Sequence, residues 1–214
     1  MTGHARDERR ALCDLLLDVG PDAPTLCGDW ATRHLAAHLV LRERRPDVGL
    51  GLVLGGPFAR HTARTTDRLG TRSDWSRLVE RLRTGPPMVA RPFDEAMNLV
   101  EFFVHHEDVR RAVDGWEPRV LPDDVATALW NHQRARTSWQ VRMLHDVALA
   151  IARPGGQRWS VRRRRATTGG RPVLATGEPG ELALFFFGRR DQALVELEGD
   201  PDAVEEVRSA RFGI

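Results

Sequence analysis

The segment Glu101-Phe-Phe-Val-His105-His106-Glu107-Asp108 places a carboxylate and an imidazole four residues apart. In a helix, residues at that spacing sit one turn above each other on the same face. Glu101 and His105 then point the same way, with Asp108 one turn further along. The neighbouring Leu99, Val100, Phe102, Phe103 and Val104 are apolar. Ionisable groups on such a helix are costly to bury unless they are paired or bound to a metal. His38, within Leu35-Ala-Ala-His38-Leu-Val, repeats the situation on a second apolar helix. Two such helices facing each other supply two imidazoles and one carboxylate. That set leaves coordination positions open, as catalytic zinc sites do, and it also suits Fe(II) or Ni(II). Asp108 is spaced to orient the His105 ring.

Duller readings use the same residues. Glu-x-x-x-His is also the spacing of ordinary surface pairs, and His38 alone fits a hydrogen-bonded core histidine. His34, four residues before His38, offers a rival His34/His38 pair. His106 points about 100° away from His105 around the helix, and His132 and His145 do not share a clean helical spacing. There is no Gly-x-Ser-x-Gly, no phosphate-binding Gly-rich loop and no Cys-x-x-Cys. Cys13 reads as a core residue; Cys27, just before the His38 helix, reads as a packed thiol or as a neighbour of the site. The run Arg162–Arg165 fits a solvated strand or turn better than a nucleic-acid contact.

The elements that must position these residues are mostly helices. Leu12, Leu15, Leu16 and Val19 mark a helix over 6–19 that Gly20-Pro21 ends. Leu35, Ala36, Leu39 and Val40 form the stripe of a second, over 32–45. Weaker helical segments are expected over 58–69 and 75–83, flanked by the Gly-rich stretch 49–57 and by Gly85-Pro86-Pro87. A strong helix is expected over 94–113, stopped at Asp114-Gly115, and another from Pro122 to about Leu144. Four substantial helices make a bundle. After His145 the pattern changes to strands over 147–152, 158–163, 173–176 and 193–197, a buried helix over 181–187, and a last helix over 201–208 capped by Asp200. The expected fold is α+β, mainly α: a helix-bundle domain over 1–146 and a small α+β domain over 147–214.

Composition narrows the function classes. All 32 basic residues among the 214 are Arg, against 30 acidic residues, for a net charge of +2. Residues 1–146 hold 21 Arg and 21 acids, whereas a nucleic-acid binder carries a strongly basic region. Two Cys exclude a disulfide scaffold. No apolar run approaches the ~20 residues of a membrane span, and the mixed-charge start MTGHARDERR leads into no secretory signal. A cytoplasmic protein without nucleic-acid or membrane partners is expected. The Arg-only usage is what a GC-rich coding sequence yields.

The motifs Pro24-Thr-Leu-Cys-Gly-Asp-Trp30, Leu35-Ala-Ala-His38-Leu, Leu41-Arg-Glu-Arg-Arg-Pro46 and Asn98-Leu-Val-Glu101-Phe-Phe-Val-His105-His106-Glu-Asp108 resemble those of the mycothiol-dependent maleylpyruvate isomerase family. That family belongs to the DinB-like superfamily of metal-binding four-helix bundles, and the chain resembles an actinobacterial branch of it described as metal-binding. Gly180-Glu-Leu-Ala-Leu-Phe-Phe-Phe-Gly188-Arg189 and Glu198-Gly-Asp200 resemble the sterol-carrier-like domain that follows the bundle in many members. The resemblance implies metal ligands at His38, Glu101 and His105. It sets His34 aside, because that position is commonly acidic in similar proteins. It implies a catalytic role for Arg189, beside Arg190. It further implies a divalent metal (zinc first, nickel or iron as alternatives), mycothiol as thiol cosubstrate, and a small electrophilic substrate for a transferase or isomerase. A metal- or ligand-binding protein without catalysis is the alternative. Neither sequence nor resemblance fixes the oligomeric state.

Overall fold

The computed structural model describes residues 3–45, 56–87, 94–160 and 170–212. The described chain is α+β and mainly helical, with eight α-helices and one four-stranded sheet. Its contacts divide it into two compact units, Met1–Pro118 and Arg119–Ile214. Among the described residues, no helix is long and apolar enough to cross a membrane.

The first unit holds α1 (His4–Val19), α2 (Thr32–Arg44), α3 (Gly56–Arg72), α4 (Trp75–Arg83) and α5 (Asp94–Arg110). Leu12 and Leu16, one turn apart on α1, pack into a core with Leu35 and Leu39 of α2, Leu78 and Leu82 of α4, and Phe102 and Val109 of α5. Burying each such side chain contributes about 1.5–3 kcal/mol. Asp74 starts α4 by accepting from the Arg77 amide at 3.0 Å. α5 stops at Arg110, a few residues before the expected 113, and Val113 is exposed.

The second unit starts earlier than the sequence expectation. The helix α6 (Asp123–Gln140), expected in the bundle domain ending at 146, belongs to this unit. Its Trp130 lies in the same apolar core as Val147, Leu149 and Ile151 of the sheet and Leu182 and Phe186 of a later helix. Its Gln140 side-chain amide donates to the Phe186 carbonyl at 3.0 Å. Strands β1 (Val147–Ala152), β2 (Arg158–Ser160), β3 (Arg171–Thr176) and β4 (Glu196–Gly199) form the order β2-β1-β3-β4. β1 runs parallel to β3, and the outer pairs are antiparallel. The last strand begins three residues after the expected 193. α7 (Pro179–Phe186) is buried along its length, and α8 (Pro201–Ser209) is capped by Asp200, which accepts from the Ala203 amide at 3.0 Å. Residues 161–163 of the expected second strand, the run Arg162–Arg165 and residues 49–55 of the Gly-rich stretch lie outside the described residues.

α2 and α3 touch backbone to backbone. A Cβ on Gly70 would lie 3.0 Å from the Arg33 carbonyl oxygen at the start of α2. The helix that carries His38 is therefore set in place by a missing side chain. Gly70→Val is expected to destabilise the first unit by about 1–3 kcal/mol, read as a lower urea midpoint with an unchanged slope; an unchanged midpoint would contradict the close approach.

Candidate metal centre

Three elements of the first unit build the site. The loop before α2 is tied down locally: Thr25 Oγ1 donates to the Trp30 carbonyl at 2.7 Å, and the Cys27 amide donates to Thr25 Oγ1 at 3.2 Å. Gly28 turns the chain with φ +62. The Leu26 amide donates to the Asp108 carbonyl at 3.0 Å, which fixes the loop to α5. This sets the Trp30 ring 5.2 Å from the His38 ring. At the start of α2, His34 Nδ1 accepts from the Ala31 amide at 3.2 Å and its Nε2 lies 3.7 Å from Asp67. His34 thus serves the helix terminus, away from the His38 cluster.

His38 of α2 and Glu101 and His105 of α5 converge. Glu101 Oε1 lies 3.3 Å from His105 Nε2 and 3.8 Å from His38 Nε2. All three donor atoms fall within 4.8 Å of one another. Adjacent ligands of a tetrahedral cation held by nitrogen and oxygen sit about 3.3 Å apart. The set therefore fits a divalent ion after a small closure. Both imidazoles are 7 % exposed, and their rings stand edge-on at 5.6 Å.

The surroundings set the charge on each group. Burial opposes the carboxylate of Glu101 most strongly, but hydrogen bonds from His105 and His38 and the nearby Arg42 guanidinium hold it well below the usual range. Burial pushes His38 below its ordinary value. Burial opposes the charge on His105 too, yet hydrogen bonds with Asp108, Cys27 and Glu101 raise it well above its ordinary value. His105 Nδ1 donates to Asp108 Oδ2 at 2.8 Å, leaving Nε2 directed at Glu101. An imidazole oriented by a carboxylate in this way is typical of metal ligands.

The sequence offers Cys27 as a packed thiol or as a neighbour of the site, and the structure places it beside His105; the arginine, asparagine and glutamate around Glu101 were missed. Arg42, four residues after His38, places Nε 3.3 Å from Glu101 Oε1 and donates from Nη1 to Asn98. Asn98 donates to Glu43 at 3.2 Å, and Glu43 pairs with Arg9 of α1 at 2.6 Å. The helical spacing from His38 to Arg42 is the signal that would have found the first of these. Cys27 joins the other side: its thiol donates to Asp108 Oδ2 at 3.1 Å and lies 3.8 Å from His105 Nδ1. His106 turns away to Glu8 of α1, at 3.1 Å. His132, His145 and Arg189 belong to the second unit. Arg189 Nη1 donates to the Phe187 carbonyl at 2.7 Å. Arg190 stacks over Phe185 and Phe212, and its Nε and Nη2 are buried without a hydrogen-bond partner.

Comparison with known proteins finds no matching family model, no matching curated protein and no matching solved structure.

The protonation states give a measurable consequence. With Glu101 held low, His38 lowered and His105 raised, an ion entering the His38–Glu101–His105 site at pH 7 displaces about one proton, the one on His105. The release rises toward two as the pH falls through the lowered His38 value, and vanishes above the raised His105 value. Calorimetry in buffers of different ionisation enthalpy measures it; no release at pH 7 would show that His105 gives up no proton to the ion. Asp108→Asn should weaken binding about 10–100-fold by loosening the His105 ring, as read by chelator competition.

Proposed function

We propose that the protein binds a divalent cation, zinc first, through His38, Glu101 and His105, and acts as a thiol-dependent transferase or isomerase on a small electrophile. The observation that carries this reading is the convergence of two buried imidazoles and one ionised carboxylate from two helices. A cation held by three protein ligands supplies Lewis acidity and favours the deprotonated form of an incoming thiol. The chain's own contribution is to keep His38 neutral, Glu101 charged and the His105 ring fixed by Asp108. Trp30 and the buried faces of α2 and α5 limit water around these groups.

The motifs around Cys27-Gly-Asp-Trp30, His38 and Glu101–Asp108 support mycothiol as the thiol and a DinB-like bundle with a sterol-carrier-like partner domain as the architecture. In that reading Arg189, or Arg190 beside it, holds a substrate carboxylate. The protein works in the cytoplasm on small molecules, without nucleic-acid or membrane partners. The alternative is a metal-binding protein without turnover, since a fold hosts unrelated chemistries.

Elemental analysis of the purified chain should return at least one divalent ion per chain. His38→Ala and Glu101→Gln should lose affinity by more than the about 100-fold that outer partners carry. Metal-loaded protein supplied with mycothiol should consume an α,β-unsaturated keto acid, and neither variant should do so. Metal binding without thiol-dependent turnover would select the alternative; wild-type affinity in both variants would remove the metal reading.

A further inference from the structure

His105 presents its two ring nitrogens to two different sets of donors. Nε2 faces Glu101 and His38. Nδ1 faces Asp108 Oδ2 at 2.8 Å and Cys27 Sγ at 3.8 Å, and those two atoms are themselves 3.1 Å apart. A sulfur, a nitrogen and an oxygen therefore form a closed triangle, with all three atoms within 4.8 Å. Ligands of a tetrahedral ion with one sulfur and two lighter donors lie about 3.3–3.6 Å apart. The observed edges bracket that range, so small side-chain rotations would suffice.

The members differ in access. Asp108 is fully buried and His105 nearly so, whereas Cys27, on the loop before α2, is only partly buried. Cys27 is thus the member of the triangle nearest solvent. The other cysteine is unlike it: Cys13 is buried against the Val79 carbonyl, and burial pushes its thiol up to about 12. Of the two cysteines, Cys27 alone is partly exposed and lies beside an imidazole and a carboxylate.

We propose that Cys27, His105 Nδ1 and Asp108 form a second metal site, selective for thiophilic divalent cations and sharing the His105 ring with the His38–Glu101 site. Thiolate ligands select soft and borderline ions over hard ones. On binding, the thiol proton leaves to solvent, and the His105 Nδ1 proton leaves with it. The inference rests on the proposed function only for the sharing of His105; the triangle itself does not involve His38 or Glu101.

Cadmium(II) is the probe, because its bond to a thiolate absorbs in the ultraviolet where its bonds to nitrogen and oxygen do not. Metal-stripped full-length chain is titrated, with bound cadmium counted by equilibrium dialysis. Wild type should bind two equivalents and show the thiolate absorption. Cys27→Ser should bind one equivalent without the absorption, and His38→Ala should bind one equivalent with it. Circular dichroism confirms that each variant is folded, and Cys27→Ala repeats the arm with a second side chain. Absence of the absorption in wild type, or its survival in both Cys27 variants, overturns the proposal. Undiminished binding by His38→Ala, with the absorption lost on Cys27 substitution, would instead sink the His38–Glu101–His105 site and leave this one standing.

Discussion

Four consecutive ionisable residues, His105 to Asp108, are buried on one helix, and a buried charge or imidazole without a partner costs several kcal/mol. Successive residues point about 100° apart around the axis, so no single neighbour can serve all four. His105 is met by Glu101 on its own helix and by His38 from α2. His106 is met by Glu8 from α1. Glu107 is held by Arg110 and Arg111 at 2.9 and 2.6 Å, and Arg111 stacks on Trp116. Asp108 takes the Cys27 thiol, and its backbone carbonyl takes the Leu26 amide. The places of α1, α2 and the loop before α2 all follow from satisfying this one stretch.

That origin explains why the site was partly legible beforehand. The spacing of Glu101 and His105 and the placement of His38 on an apolar stripe are local properties, visible in the order of residues. The helices α1, α2 and α5 follow from their apolar periodicity and from Gly and Pro stops. Asp108 was legible as the partner of His105 because three residues separate them on one helix. Cys27 was legible only as one of two readings and Asn98 not at all, because their contacts join loop to helix and helix to helix across dozens of positions. The position of α6 was illegible for the same reason: periodicity shows that a helix has an apolar face, but not which core will receive it. Trp130 and Gln140 settle that question only through residues far along the chain. The last strand began late because the stretch before it alternates almost as well as Glu196–Gly199 does.

The two faces of His105 give the site a division of labour. A ring nitrogen can act as ligand only if the other nitrogen fixes the ring, and here the fixing group is itself part of a sulfur-containing cluster. The loop that carries Cys27 also carries Trp30, which packs on His38. One short segment thus touches both imidazoles, and its anchoring to the Asp108 backbone keeps the two contacts in register.

The partly buried chain from Arg9 through Glu43, Asn98 and Arg42 to Glu101 contains two cations, and both are guanidinium groups. A lysine in either place would be free to shed its proton when desolvated, whereas arginine keeps its charge at every pH a folded protein survives. The absence of Lys from the whole sequence therefore leaves a background field around Glu101 that acidity does not change. The acid–base response of the centre thus lies with His38, Glu101 and His105, the same groups that would grip an ion.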